Sequence, residues 1–355
     1  MGDHQHPATA VHLGVGLSGQ QLVALAADAE LRSHVDDAAP AFVVAGVDRI
    51  DGSIPDDQTL EPTVAATFLA RRAPHTAVLA AAAPHRDHPY NLARRVASAD
   101  HLSRGRSGLV LGIRDGYAPR GPAGHEAWGG AGLTAGAPLG VDTTRDAAIA
   151  IEKLWQSWPY ESIVADRRTR IFVRAEQIVH IDHQGVFDIA GPLTVPSTPQ
   201  GSPVLAWYAR TADEVEAARE VADLVILSAT EPGATATAAA ALSSGDSGRF
   251  ADPSRRPLLF AELPHHAGDE PGVLESAVRS VSGDVDGVLV RPGRTADDLV
   301  RFVEAGLPAL LAGGLVRTAP AATLRERLAL PVPARLLDGA RPAFPAPEPQ
   351  PALRP

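Results

Sequence analysis

Residues 60–114 read LEPTVAATFLARRAPHTAVLAAAAPHRDHPYNLARRVASADHLSRGRSGLVLGIR. This stretch contains two apolar runs, at 76–83 and 108–113, and a segment with helical periodicity precedes each of them. The order helix, strand, helix, strand predicts the repeating unit of a parallel α/β sheet. The polar cluster His85-Arg86-Asp87-His88 follows the first run, and α/β proteins place functional side chains at such strand ends.

The same rhythm continues outside this stretch. Apolar runs predict six further strands, at 11–16, 41–47, 203–208, 223–228, 257–263 and 285–290. Helical segments lie between most of them, and one continuous helix is expected after the first strand, over 20–33. Eight strands alternating with helices predict an α/β TIM-like (β/α)8 barrel, since right-handed crossovers close such a series. An open doubly wound sheet is the alternative, but no GxGxxG turn follows the first strand.

Residues 115–202 interrupt the rhythm and predict an insertion between strands 4 and 5. The insertion begins with a Gly/Pro-rich loop at 115–138 and continues into a helix opening at 142–146. Two or three short strands are expected over 161–203, because residues 178–193 alternate like a hairpin. A single domain is expected over 1–339. The Pro-rich end, 340–355, cannot build a helix or a central strand and is expected to be a disordered tail.

Composition excludes several classes of protein. The net charge of −10, with no basic stripe, argues against a nucleic-acid partner. No apolar run is long enough to span a membrane, and the first residues lack a secretory signal pattern, so a cytoplasmic protein is expected. The absence of cysteine removes disulfides and thiolate metal sites. Lys153, the lone lysine, lies in a predicted helix, which leaves no Schiff-base candidate on a strand.

Several motifs carry a resemblance to a known family. The segments LEP, PYNLARR, ASADHLS and GR resemble the "LEP … PYNLAR-FASLDHLS-GR" block of the luciferase-like monooxygenases; they stand at 60–62, 89–95, 97–103 and 105–106. The segments LWQSW, IDHQG, GPL and PQGSP are similar to a later series in the subgroup that contains nitrilotriacetate monooxygenase, pristinamycin IIA synthase and dibenzothiophene-sulfone monooxygenase. The ordered similarity covers roughly residues 40–335.

The resemblance implies both a fold and an activity. It implies a TIM-like barrel with an insertion, commonly dimeric, that takes reduced FMN from a separate reductase and uses oxygen on a small organic substrate. The implied partners are therefore that substrate, a flavin reductase, and a second subunit, which is either an identical chain or an active homologue. No metal is implied.

The family's flavin positions can be carried over one at a time. The acidic residue after strand 2 corresponds to Asp48 or Asp51, and the strand that normally carries flavin-binding Asn and Thr reads LVLGIR here and ends at Arg114. The usual glycine-rich phosphate loop is replaced after strand 5 by WYARTADE, in which Arg210 could meet a phosphate. The resemblance thus predicts an altered flavin site with Asp48, Arg114 and Arg210 as cofactor-binding residues. The alternative is a noncatalytic or regulatory homologue that does not bind FMN in the family manner.

Other side chains at predicted strand ends are candidates for catalysis or substrate binding. His85 and His88 could supply a general base, because histidine titrates near neutral pH; a solvated loop is the alternative. Trp128 in the long loop, with Glu262 and Arg291 at the ends of strands 7 and 8, could contact substrate. A Glu262–Arg291 ion pair that closes the barrel is equally compatible with the sequence.

Two further histidine groups have simpler interpretations. His180, Asp182 and His183 have a spacing that suits a metal, but the family's "IDH-G" turn favours structural hydrogen bonds. His265 and His266 are adjacent on a strand and therefore point to opposite faces, so at most one is a site residue.

Overall fold

Eight parallel strands close into a barrel in the structure, which is a computed structural model. It describes residues 10–54, 58–84, 86–118, 139–228, 231–244, 247–252, 254–318 and 322–344. The strands are β1 (Val11–Leu17), β2 (Phe42–Ala45), β3 (Val78–Ala82), β4 (Ser107–Leu111), β5 (Ile163–Asp166), β6 (Ile171–Val173), β7 (Val204–Ala209), β8 (Leu224–Leu227), β9 (Leu258–His265), β10 (Gly287–Pro292) and β11 (Val316–Arg317). All but β5, β6 and β11 form the barrel, and β10 closes it by pairing with β1. The predicted barrel is confirmed.

Helices cover the outside of the barrel. They are α1 (Gly19–Ala27), α2 (Ala29–Asp37), α3 (Pro62–Arg72), α4 (Pro89–Ser103), α5 (Val141–Gln156), α6 (Ala212–Val221), α7 (Ala234–Ser243), α8 (Val273–Val281), α9 (Ala296–Arg301), α10 (Leu307–Ala312) and α11 (Leu324–Arg327). A short π-helical segment, Phe302–Gly306, joins α9 to α10. No helix in the described ranges is both long and apolar enough to cross a membrane.

The barrel interior is filled by side chains rather than left open. Alternate residues of the strands point inward, among them Phe42 and Phe260, whose ring centroids lie 5.1 Å apart. Glycines make room for these rings: a Cβ at Gly14 would lie 2.7 Å from Phe42, and one at Gly287 would lie 2.2 Å from Phe260. The other face of the strands packs against the helices in a second apolar cluster. The barrel core is therefore closed, and any site must lie at its ends.

The expected single helix over 20–33 is wrong. The chain forms α1 and α2 instead, because Asp28 leaves helical geometry and its carboxylate accepts hydrogen bonds from the backbone N–H groups of Glu30 (2.8 Å) and Leu31 (3.1 Å). An aspartate in this position is a strong helix N-cap, so the second helix starts immediately after the first ends.

The insertion contains two short strands within the predicted range 161–203, but they precede the segment 178–193 in which the hairpin alternation was seen. Strands β5 and β6 form an antiparallel pair, whereas the described residues of 178–193 make two isolated bridges, His183 to Ile189 and Val179 to Pro342. The chain end returns to this region, where Arg341 O accepts from His180 N (2.9 Å) and Ala343 N donates to Ile178 O (2.7 Å). Residues 345–355 lie outside the described part of the chain, so the disordered tail stays a prediction.

Candidate functional site

Loops at the carboxyl ends of the barrel strands enclose two cavities. The first cavity, of about 410 Å³, lies between the loops that follow β2, β4 and β7. The second cavity, of about 500 Å³, lies beside the ends of β8, β9 and β10. Both volumes fall in the range of small-molecule sites. Their position at the carboxyl face is the one that TIM-barrel enzymes use for catalysis.

The first cavity combines a cationic wall with an apolar one. Arg114 and Arg210 contribute guanidinium groups and Glu214 contributes one carboxylate, whereas Ile50, Ile113 and Tyr208 contribute apolar and aromatic surface. Such a cavity suits a ligand with an anionic end and a planar apolar body.

The position of Arg210 depends on a glycine across the cavity. Gly52 has φ +83°, and a Cβ there would lie 2.7 Å from Arg210 Nη1. Only glycine allows this backbone conformation and this approach without strain. The Arg210 guanidinium makes no hydrogen bond or ion pair within 4.0 Å with any residue that the structure describes, but the Glu214 carboxylate, which also lines the cavity, attracts it electrostatically.

A chain of charged and polar side chains separates the two cavities. Arg291 Nη1 donates to Glu262 Oε1 (2.7 Å), and Arg291 Nη2 donates to Asp51 Oδ2 (2.9 Å). The hydroxyl of Tyr208 donates to Glu262 Oε2 (2.6 Å). Tyr208 lines the first cavity, and Glu262 and Arg291 line the second. We refer to Asp51, Tyr208, Glu262 and Arg291 as the mouth network.

Burial fixes the charge states within the mouth network. Burial and the adjacent Glu262 carboxylate raise the pKa of the Tyr208 hydroxyl well above its ordinary value. Burial alone would lower the pKa of Arg291, but Glu262 and Asp51 outweigh it and hold that pKa above its ordinary value. Tyr208 is thus a neutral hydrogen-bond donor, and Arg291 is a permanent cation.

A second ion pair holds the loop after β2 against the loop after β4. Arg49 donates to Asp115 Oδ2 from Nη2 (2.7 Å) and from Nε (3.0 Å), and both side chains are buried. The Arg49 guanidinium also lies over the ring of Tyr117, 4.5 Å from its centroid. This clamp fixes two walls of the first cavity.

The predicted cofactor residues occupy different environments. Arg114 and Arg210 both line the first cavity. Asp48 is completely buried, with Oδ2 4.0 Å from Arg294 Nη2, and it lines neither cavity. Asp51, the other acidic residue considered after strand 2, belongs to the mouth network.

The predicted catalytic and substrate residues are also dispersed. His85 and Trp128 lie outside the described residues. His88 caps α4, where its Nδ1 accepts from Tyr90 N (3.2 Å), and burial lowers its pKa. Glu262 and Arg291 form the ion pair that the sequence left open as an alternative to substrate binding.

The remaining histidines make structural contacts or face the second cavity. His183 Nε2 lies 3.0 Å from Asp146 Oδ1, and no group of metal ligands assembles within the described ranges. His265 packs edge-on against Phe302, with ring centroids 5.8 Å apart, whereas His266 lines the second cavity.

The sequence does not identify several residues of this site, among them Tyr208 and Gly16. Tyr208 was visible as part of a strand, but nothing in its neighbourhood indicated that its hydroxyl reaches Glu262. Gly16 at the end of β1 was also missed, although a Cβ there would lie 2.5 Å from Arg291 Cδ. Its only sequence signal is a glycine at a strand end, where a close approach is common.

Comparisons with known proteins support one family. Residues 20–309 match the family described as luciferase-like monooxygenase. A pristinamycin IIA synthase subunit from Streptomyces pristinaespiralis is 32% identical over 77% of this chain and 78% of that protein. Nitrilotriacetate monooxygenase component A from Aminobacter aminovorans is 29% identical over 47% of this chain, and the match spans only 36% of that protein. The solved EDTA monooxygenase from Chelativorans sp. BNC1 shares the fold, with a TM-score of 0.63 and 20% identity over 91% of this chain and 98% of that one. The chain therefore belongs to the luciferase-like monooxygenase family.

Proposed function

We propose that the chain is a monooxygenase that uses reduced FMN and molecular oxygen on a small organic substrate, with the flavin in the first cavity. The observation that carries this proposal is the pair of arginines, Arg114 and Arg210, facing apolar and aromatic surface in a cavity of about 410 Å³. Family membership supplies the chemistry: bound reduced FMN provides the electrons that reduce one oxygen atom to water while the other enters the substrate.

The residues of the first cavity fit this cofactor. A phosphate is a multiply charged acceptor, and a guanidinium such as that of Arg210 is a strong charge-assisted donor for it. Gly52 leaves the space that this guanidinium occupies. Ile50, Ile113 and Tyr208 offer the apolar contact that a planar ring system needs. Asp48 is buried away from the cavity, so its predicted role in cofactor binding rests on the family resemblance alone.

The second cavity is the proposed substrate site. It is bounded by Glu262 and Arg291, which were predicted as substrate residues, and by His266. The mouth network satisfies both Glu262 oxygens and two Arg291 nitrogens. The main role of these two side chains is therefore to hold the wall between the cavities in position, and contact with substrate is secondary. His85, His88 and Trp128 stay predictions for catalysis and substrate contact.

Partner proteins follow from the names of two relatives. One relative is called component A of a monooxygenase and the other is called a synthase subunit, and both are names for parts of larger enzymes. We infer that a separate flavin reductase supplies reduced FMN to this chain, and that the chain works with a second luciferase-like subunit, identical or not. A cytoplasmic location remains the expectation from the sequence.

Anaerobic titration with chemically reduced FMN tests the proposal without a reductase. The wild-type chain should bind in the micromolar range, and Arg210→Gln should weaken binding about 10- to 100-fold, because it removes one charge-assisted contact. Arg255→Gln changes an exposed arginine that lines neither cavity and serves as the control. A wild-type chain that binds no reduced FMN at high micromolar concentration contradicts the proposal and leaves the noncatalytic homologue.

A further inference from the structure

One acidic side chain faces the two arginines of the first cavity. Glu214, in the first turn of α6, lines the cavity together with Arg114 and Arg210, and it is only 8% exposed. Among the lining residues that the structure describes, Glu214 carries the negative charge and the two arginines carry the positive charges. The carboxylate therefore shares the cavity with any anionic group that a ligand brings.

Hydrogen bonds at the amino-terminal end of α6 hold this carboxylate in position. Glu214 Oε2 accepts from Arg210 N (3.2 Å), and Glu214 Oε1 accepts from Thr211 Oγ1 (3.4 Å). In return, Thr211 Oγ1 accepts from Glu214 N (3.3 Å). A threonine N-cap with a glutamate three residues later is a common arrangement at a helix start. Because the amino-terminal end of a helix favours an anion, Glu214 supplies that anion from within the chain.

The charge of Glu214 is not cancelled by direct contact within the described part of the chain. Its oxygens make no ion pair there, and the Arg210 guanidinium acts on them only over a longer distance. Burial raises the pKa of the Glu214 carboxyl, and Arg210 offsets this in part through its backbone N–H and its charge. Salt and water screen buried charges less than exposed ones. The carboxylate therefore weakens the attraction that Arg114 and Arg210 exert on an anionic ligand.

We propose that Glu214 lowers the selectivity of the first cavity for phosphorylated flavin, so that the chain binds riboflavin almost as tightly as FMN. The inference rests on the proposed function, because it takes the first cavity as the flavin site. Riboflavin has the ring and ribityl chain of FMN but ends in a hydroxyl group instead of a phosphate. A phosphate that contacts Arg210 lies close to Glu214, since both side chains line one cavity of about 410 Å³ and already interact. Repulsion between the two anions then offsets part of the attraction to arginine.

A purely structural role for Glu214 leads to a different expectation. Glu214→Gln keeps the length of the side chain and an oxygen that can accept from Arg210 N, and glutamine also suits this position at a helix start. The substitution therefore removes the charge and preserves the end of α6. If Glu214 only caps the helix, the variant binds both flavins as the wild type does.

Anaerobic titrations of the full chain with reduced FMN and reduced riboflavin test the inference. They are made at pH 8, where the phosphate is fully ionised because its second pKa is about 6. The wild-type dissociation constants for the two flavins should lie within about tenfold of each other. Glu214→Gln should bind FMN at least about tenfold more tightly and change riboflavin affinity by less than about twofold, because only FMN carries the repelled charge.

Asp213→Asn is the matched control. Asp213 lies in the same helical turn, but it is exposed and lines neither cavity, so its substitution should change either affinity by less than about twofold. Circular dichroism and urea unfolding confirm that each variant is folded.

The two flavins separate failure of this inference from failure of the proposed function. A wild type that binds FMN but prefers it to riboflavin by more than about 100-fold overturns the inference and leaves the function standing. So does a Glu214→Gln variant that binds FMN no more tightly than the wild type, or that gains equally for both flavins. A wild type that binds neither flavin contradicts the proposed function. In that case FMN binding by Glu214→Gln alone supports the inference, and no binding by any variant overturns it as well.

Discussion

The position of Arg291 depends on Gly16, a glycine at the end of β1 that leaves space for it. Its Cδ occupies the space in which a side chain at Gly16 would begin, 2.5 Å from an ideal Cβ. From there its guanidinium reaches Glu262 and Asp51, and so connects the barrel wall to the loop after β2. A methyl group at residue 16 would therefore act on the whole mouth network.

We expect Gly16→Ala to destabilise the protein by about 1–3 kcal/mol, since an added methyl forces Arg291 out of a packed position. Urea unfolding measures the change. Gly140→Ala is the matched control, because nothing lies within 4 Å of its Cβ position and its φ of 171° is ordinary extended backbone. Equal effects of the two substitutions would show that Arg291 moves aside without cost.

The contrast between Arg210 and Gly16 shows which site residues a sequence can reveal. Arg210 follows a predicted strand closely, so its place at the carboxyl face could be predicted from chain order alone. The contact between Gly16 and Arg291 joins the first and last barrel strands, and it exists only because the barrel closes. No local pattern encodes such a contact. Asp48 also follows a predicted strand, but its position in the sequence gave no indication that its carboxylate is buried.

At the scale of elements, α4 begins at a histidine that was predicted to be catalytic. His88 Nδ1 accepts from Tyr90 N (3.2 Å), and its ring packs edge-on against Phe187 at 5.6 Å. His88→Ala should cost about 1–2 kcal/mol, whereas His88→Asn should recover most of it, because asparagine is a good N-cap. Thermal and urea unfolding measure both. If the asparagine variant keeps its stability but loses turnover, His88 has the catalytic role predicted from the sequence.

Asp100, near the carboxyl-terminal end of α4, is a buried acid whose pKa is raised. Asp100 Oδ1 accepts from Ser107 N (2.9 Å) and Gln200 Nε2 (2.8 Å), and burial raises its pKa from 3.8 to about 6. Since the folded pKa exceeds the unfolded one, the stability that this group contributes is present below pH 3.8 and is lost as pH rises through about 6.

Asp100→Asn removes this titration. Relative to the wild type, the variant should be about 1 kcal/mol more stable at pH 8 than at pH 5, since part of the raised pKa acts in that window. Urea unfolding at both pH values measures the difference. Asp188→Asn, at an exposed position, should have the same small effect at both. A pH-independent effect of Asp100→Asn would mean that the carboxyl does not titrate in this range.

The elements themselves were largely predictable because buried strands need continuous apolar runs. Residues 41–47 and 223–228 show this pattern, and they contain β2 and β8. Short strands were expected within 161–203, but the positions of β5 and β6 were not predicted, because Ile171 and Phe172 are exposed there and the strands follow no core-facing alternation. The pattern of apolar residues in a sequence predicts helices and strands that pack against a core, but it does not predict strands whose side chains are exposed.

At the scale of the whole molecule, a buried ion cluster closes the amino-terminal end of the barrel. Asp223, just before β8, accepts from Arg249 (2.7 Å) and from Arg325 in α11 (2.8 Å). Arg249 also reaches Glu152 in α5 (2.6 Å). Burial alone would raise the pKa of Asp223, but Arg249 and Arg325 outweigh it and hold that pKa below its ordinary value. The cluster therefore links the barrel to α5 and to α11 near the chain end.

Removing one cation from this cluster should cost more than any exposed ion pair contributes. Arg325→Met keeps the length of the side chain but leaves Asp223 short of one partner and Ser202 O without its 2.7 Å donor, so we expect a loss of about 3–5 kcal/mol. Arg255→Met breaks only an exposed contact of 4.0 Å with Asp252 and should change stability by less than about 1 kcal/mol. Urea unfolding compares the two. Similar losses would mean that α11 contributes little to closing the barrel; a large loss confined to Arg325→Met would identify the carboxyl-terminal helix as part of the cooperative fold.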